Sequence, residues 1–283
     1  MRLSVGIPNT IPGTEGGLLL EWARRADTFG FASLATIGRV AYPGYDELVV
    51  LAAAAAATER IGLFTGVLLG PTREPVVLAR QAAAIDRLSG GRLVLGVGVG
   101  SREDDFAVTG MSFRDRGRRW DAALELMHRA WRGEPVPGTT RQVTPRPVSG
   151  EGVPLLFGGQ SDAAFARAAR WGRGYTAGGG GAGRARDAFD RMRATWREAG
   201  RPGEPELRGL AYFALGAESE RGRDYLVDYY GPLGEQIWPS VARDRAALAE
   251  VVRQFEAIGT DELSIAPAIA SIEQLELLAE AVL

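Results

Sequence analysis

The chain contains no cysteine, no lysine and a single histidine, His128. Each absence removes a class of chemistry. Thiol catalysis and disulfide scaffolds need cysteine, Schiff-base chemistry needs lysine, and histidine-centred triads or metal sites need more imidazole than one residue supplies. No metal site is read from the sequence. All 33 basic residues are arginine, and 35 acidic residues bring the net charge to -2. That balance gives no electrostatic reason to expect nucleic acid or an anionic membrane as partner. No stretch approaches the roughly 18 uninterrupted apolar residues of a membrane span, and "MRLSVGIPNT" runs straight into a strand pattern instead of a signal peptide. A cytoplasmic protein is expected. An enzyme of this composition would hand its hard chemistry to a cofactor, with a small molecule as substrate.

What is present is a regular alternation. Apolar strand patterns fall at 2–8, 31–37, 61–69, 92–98, 153–159, 172–178, 207–215 and 261–267. Helical patterns lie between them: Leu18 to Phe29, Asp46 to Glu59, Pro75 to Leu88, Phe113 to Trp131, Asp162 to Trp171, Arg184 to Ala199, a long stretch from Glu220 to Ile258, and Ile272 to Leu283. Repeated βα units with near-continuous apolar strands predict a parallel sheet covered by helices, and eight of them predict closure. The fold read from this is an α/β (β/α)8 TIM barrel, one domain over 1–283. Trp120, Leu124, Met127 and Trp131 form one helical stripe, read as core, and His128 beside it is read as structural. The segment 132–152 reads as a long surface loop.

The run "GGRLVLGVGVGS", 90–101, carries glycines at 96, 98 and 100. A dinucleotide fingerprint is one reading, but its third glycine comes a residue early and "SREDDFAVTG" reads as a loop rather than a helix start. The other reading is a parallel strand whose C-terminal end lets a ligand approach its backbone. "FGGQSDAAF" places Gly158 and Gly159 after a strand, with Ser161 as N-cap of the next helix, an anion site that needs no lysine. Asp162 would repel a phosphate, so it is expected to face solvent.

The segment "EPVVLARQAAAIDRLSGGRLVLGVGVGSREDDFAVTGMSFRDRGRRWDAALELMHRAW", 74–131, resembles the bacterial-luciferase-like monooxygenases, (β/α)8 barrels that use reduced FMN or the deazaflavin F420. A second similar patch is "PLLFGGQSDAAFARAARWGRGYTAGG", 154–179. The resemblance implies that the glycine-rich strand end, Gly98, Gly100 and Ser101, faces the flavin cavity. It implies a non-prolyl cis peptide in "FTGVLL", which would be Gly66-Val67. It also implies a phosphate site at Gly158, Gly159, Gln160 and Ser161, with Gly178 and Gly179 close by.

Two departures from the family pattern bear on the cofactor. Val99 stands where the luciferase proper has a phosphate-holding arginine, and "TIGRV" offers Thr36 and Arg39 where many relatives carry histidine. F420 is thereby slightly favoured over FMN. Candidate polar groups at strand ends are Asn9, Thr36, Arg39, Ser101, Glu103 and Asp105, of which Arg39, Glu103 and Asp105 are the candidate catalytic groups. Aromatics between Tyr225 and Trp238 either line a substrate pocket or pack. The reading is an oxidoreductase that oxygenates or transfers hydride; the alternatives are a non-catalytic flavin-binding relative and an NAD-dependent Rossmann dehydrogenase. The resemblance further implies a homodimer, for which the alanine-rich "LAAAAAATE" helix is the expected interface, and a separate flavin or F420 reductase as partner.

Overall fold

The computed structural model describes residues 1–283. Its strands are β1 (Arg2–Gly6), β2 (Ser33–Thr36), β3 (Gly62–Thr65), β4 (Leu68–Leu69), β5 (Leu93–Gly98), β6 (Leu155–Phe157), β7 (Gly174–Thr176), β8 (Glu206–Phe213) and β9 (Glu262–Pro267). All pair in parallel, and β9 returns to β1. The strand read at 61–69 is interrupted at Gly66-Val67, and both halves pair with β5, Leu63 opposite Leu93 and Leu68 opposite Val97. Counting β3 and β4 as one staves the barrel with eight strands, and its closure excludes the doubly wound dinucleotide alternative.

The helices are α1 (Gly16–Phe29), α2 (Glu47–Ala57), α3 (Pro75–Leu88), α4 (Glu103–Ala107), α5 (Arg116–Arg132), α6 (Asp162–Trp171), α7 (Gly181–Glu198), α8 (Glu220–Tyr230), α9 (Pro232–Ile237), α10 (Arg245–Ala257) and α11 (Ile272–Val282). Local chemistry sets their ends. Asp46 accepts from the Leu48 and Val49 amides to start α2, and Pro75 opens α3 while Glu74 accepts from Val77. The stripe Trp120, Leu124, Met127 and Trp131 on α5 is fully buried, and the Trp131 indole donates to the Ala79 carbonyl of α3 at 2.9 Å. His128 stacks on Trp171 at 4.8 Å between ring centres; burial pushes its pKa down, which keeps it neutral and structural. No helix is long and apolar enough to cross a membrane.

Three expectations change. The loop read at 101–110 contains the short helix α4, anchored by the buried Phe106, and the helix read from Phe113 starts only at Arg116. The long stretch 220–258 divides into α8, α9 and α10, because Gly231-Pro232 and Pro239 interrupt its amide ladder. Two cores result. The larger lies between strands and helical ring, and a second, including Ile37, Tyr212, Tyr225, Tyr229 and Trp238, sits over the C-terminal mouth.

The opposite end of the barrel is closed by charge. Glu262 accepts from Ser4 and Ser33, each at 2.6 Å, and pairs with Arg208 at 2.9 Å and Arg2 at 2.9 Å. Glu206 takes Arg208 at 2.8 Å and Arg173 at 2.6 Å. Glu262 and Arg208 are almost fully buried.

Candidate active site at the barrel mouth

The opening glycines are explained by Val67. A Cβ on Gly98 would lie 3.0 Å from Val67 Cγ2, and one on Gly158 would lie 3.1 Å from Val67 Cγ1. The Val67 side chain therefore fills the notch between the ends of β5 and β6, and both positions need glycine to leave room for it. The Gly66-Val67 bond is cis, where the resemblance placed it. Gly96 serves the same crossing lower down, since a Cβ there would sit 1.9 Å from the Thr65 carbonyl oxygen and 2.6 Å from the Phe64 ring. Gly100 has φ +74°, the left-handed conformation that turns the chain out of β5 toward Ser101, which is exposed.

After β6 the chain turns at Gly159, with φ +117°, and its carbonyl accepts from the Tyr175 hydroxyl at 2.8 Å. Burial raises the Tyr175 phenol to about 12, so it is a fixed donor. Ser161 caps α6 by accepting from the Ala164 amide, as its sequence position indicated. Asp162 points into solvent and pairs with Arg191 of α7, whose guanidinium also donates to the Gln160 carbonyl at 3.1 Å. Arg184, in the first turn of α7, lies along Gly180. Gly178 meets no atom on its Cβ side, and Gly179 lies against the Tyr212 ring. The end of β6, the N-terminus of α6 and the loop after β7 thus form one small-residue shelf bordered by two arginines.

On the β2 side the three candidate catalytic residues lie together, Glu103 and Asp105 on α4 and Arg39 against it, but their surroundings differ. Asp105 is buried at 1% exposure and accepts from the Val40 and Ala41 amides, both at 2.8 Å, tying α4 to the loop after β2. Arg39 pairs with Asp104 at 2.6 Å, donates to the Tyr229 carbonyl at 3.3 Å and holds Asp105 at 3.7 Å. Glu103 stands exposed on the first turn of α4. Asn9 is consumed by the Ile37 and Tyr45 carbonyls, and Thr36 by the Phe64 carbonyl.

Five side chains escaped the sequence reading, Glu47, Tyr42, Tyr212, Arg102 and Arg191, while Tyr230 lay within the aromatic segment it named. Glu47 is buried against Gly38, the residue before Arg39, and its one cationic partner is Arg73 at 3.1 Å. Burial raises its pKa to about 6 against the pull of Arg73, with Asp46 and Asp105 adding to the rise. Tyr212 and Tyr230 share a 2.6 Å hydroxyl contact, and burial pushes both phenols up. Tyr42 donates to Asp228 at 2.6 Å, and its ring meets Tyr229 edge-on at 4.9 Å. Arg102 and Arg191 complete the set. Only the aromatics carried a signal, the tyrosine run at the end of α8, because spacing along one helix says nothing of what it covers.

A family model described as luciferase-like monooxygenase matches residues 1–277. The chain is 35% identical over 156 residues to 4-hydroxyprotoasukamycin monooxygenase of Streptomyces nodosus subsp. asukaensis, a match covering 51% of this chain and 42% of that one. Across the curated relatives it matches, the chain spans less than two thirds of their length, 31% to 64%. Among solved structures, monooxygenase RslO1 from Streptomyces bottropensis superposes with TM-score 0.80 at 24% identity, covering 100% of this chain and 98% of that one. The coenzyme F420-dependent tetrahydromethanopterin reductase from Methanopyrus kandleri gives TM-score 0.78 at 18% identity, with 100% and 99% covered.

Proposed function

The chain belongs to the luciferase-like monooxygenase family, and from that premise we propose an oxidoreductase that uses a reduced flavin, F420 or FMN, on a small organic substrate. The observation that carries this reading is the shelf at the barrel mouth: Gly98 and Gly158 around Val67, continuing into the open face of Gly178. A planar ring can lie against such a surface, and the N-terminus of α6 offers its free amides and positive dipole end to a phosphate. Gly159, Gln160 and Ser161 would hold that phosphate, with Arg191 and Arg184 adding the charge. Gly66, Val67, Gly100, Ser101 and Gly179 would border the ring. Bound there in reduced form, the cofactor supplies a hydride or, with dioxygen, an oxygenating equivalent.

The chain's own work is orientation and exclusion of water. Asp105 fixes the loop that carries Arg39, and Arg39 clamps the end of α8 through the Tyr229 carbonyl, so that the tyrosines of α8 cover the mouth. Asp105 is then a positioning residue, Arg39 reaches substrate or ring edge, and Glu103 guards the rim. F420 is the favoured cofactor because Val99 places no cation at the strand end. A separate flavin or F420 reductase would supply the reduced form, and a second copy of the chain would cover α2.

Titration of the purified protein with FMN and with F420, oxidised and reduced, tests the reading by ring absorbance and fluorescence. Selective F420 binding directs the search to hydride transfer, and selective binding of reduced FMN to oxygenation. Tight binding without turnover across substrate panels would support the non-catalytic alternative, and binding of neither would overturn the proposal.

A further inference from the structure

Every arginine that has neither an ion pair nor a side-chain hydrogen bond is exposed, with one exception. Arg102, at the end of the loop after β5, is half-buried and unpartnered. Its guanidinium lies 5.8 Å from the centre of the Tyr229 ring. It is close enough to Tyr42, Tyr229 and Tyr230 to pull their phenols down against the burial that raises them. Of the neighbouring carboxylates, Asp104 is used by Arg39, Asp105 by two backbone amides and Asp228 by Tyr42, and Glu103 stands exposed without pairing with Arg102. A guanidinium without an anion is free to take one, and its five donors suit a planar oxyanion.

The phenol pair beside it has the same unfinished character. Tyr212 and Tyr230 share one hydrogen bond, which uses one of their two hydroxyl hydrogens. The second is available to an acceptor at the mouth. Aromatic rings join the two features: the Tyr229 ring lies 5.8 Å from the Arg102 guanidinium, and Tyr42 and Tyr230 meet that ring edge-on at 4.9 and 4.7 Å.

Resting on the flavin reading above, we propose that Arg102 is the residue that recognises the substrate and that the substrate is an aromatic or enolic organic acid. Its carboxylate or enolate oxygen meets the Arg102 guanidinium, its ring stacks among Tyr42, Tyr229 and Tyr230, and a carbonyl or hydroxyl oxygen accepts from the Tyr212–Tyr230 pair. The anion could alternatively belong to the cofactor's phosphate or acidic tail, and the measurement separates the two. The α6 shelf with Arg184 and Arg191 already answers a phosphate, and Arg102 faces other elements, the loop after β2 and the end of α8.

The probes are 2-naphthoate and its neutral isostere 2-acetylnaphthalene, titrated by calorimetry into wild type, Arg102→Gln and Arg102→Lys, with FMN and F420 titrated into the same proteins. Arg102→Gln should weaken naphthoate at least tenfold and the ketone less than twofold, Arg102→Lys should recover part of the loss, and cofactor affinity should stay within twofold. An unchanged thermal midpoint certifies the fold. Absence of saturable naphthoate binding to wild type, or equal losses for acid and ketone, would overturn the assignment. So would a loss confined to the cofactor, which would give Arg102 to the flavin's anion. If the naphthoate pattern holds while neither cofactor binds wild type, the flavin reading fails alone.

Discussion

At the scale of single residues, the mouth depends on glycine where the neighbour is Val67. Gly98→Ala puts a methyl 3.0 Å from Val67 Cγ2, tighter than nearly all carbon contacts, so either the side chain or the strand must give by a few tenths of an ångström. Such overpacking costs about 1–3 kcal/mol. We expect Gly98→Ala to lower the urea midpoint by that amount and to weaken flavin binding at least tenfold, and Gly98→Ala with Val67→Ala to recover the stability. Failure of the double variant to recover would show that the glycine answers something other than Val67. Glu47 gives a second residue-scale prediction. Its folded pKa is raised from 4.5 to about 6, so the protonated form is the stable one. Its stabilising contribution is full below about 4.5 and is lost as pH rises through about 6. The shift corresponds to about 2 kcal/mol. Glu47→Gln cannot ionise, so its stability relative to wild type should rise by about 2 kcal/mol between pH 4 and pH 7.5 in paired denaturant titrations. A difference independent of pH would show that Glu47 ionises without penalty.

At the scale of elements, α2 poses the sharpest question. Its sequence ELVVLAAAAAA is apolar on every face, yet Val49 is 66% exposed and Ala53 and Ala56 face outward with it. On the adjacent α3, Val77 is 52% and Leu88 70% exposed. A helix apolar all round belongs in an interior, and alanine permits close approach. Light scattering should give twice the 30.2 kDa chain mass, and Val49→Asp with Ala53→Glu should give the single mass with the barrel's circular dichroism retained. A wild-type monomer would overturn the dimer. These elements were also the legible part of the fold. Period and punctuation marked α2, α3, α5 and α6 to within a few residues, because their caps and apolar stripes are local. Helix α4 was missed because five residues hold no period, and its existence depends on Phe106 finding a core and Asp105 finding the amides of Val40 and Ala41. Ser161 lay in a readable capping motif, and the Gly66-Val67 cis bond came from the family resemblance. Glu47, Arg102 and Arg191 lay in no such motif, since each matters only through residues tens of positions away.

At the scale of the whole molecule, the barrel divides its labour between two ends. The mouth keeps small residues, tyrosines and an unpaired guanidinium, while the opposite end pairs its buried charges with one another, in keeping with a face that carries stability rather than chemistry. Glu262 is the keystone there, because it joins β9 to β1 through Ser4, to β2 through Ser33 and to β8 through Arg208. Removing one partner of an isolated buried pair costs about 3–5 kcal/mol, whereas replacing both by apolar groups of similar volume is often neutral. Arg208 keeps Glu206 at 2.8 Å when Glu262 is removed, so Glu262→Leu should lower the unfolding free energy by less than about 3–5 kcal/mol in a chemical denaturation, and Glu262→Leu with Arg208→Met should recover part of the loss. The two serines retain their 2.9 Å contact with each other, which limits the polar groups left unpaired in the double variant. Because the network lies at the far end from the shelf, flavin affinity at low temperature, where the fold persists, should stay within twofold in both variants. A large loss of affinity in the double variant would mean that the closed end holds the mouth in shape, and the division of labour would fail.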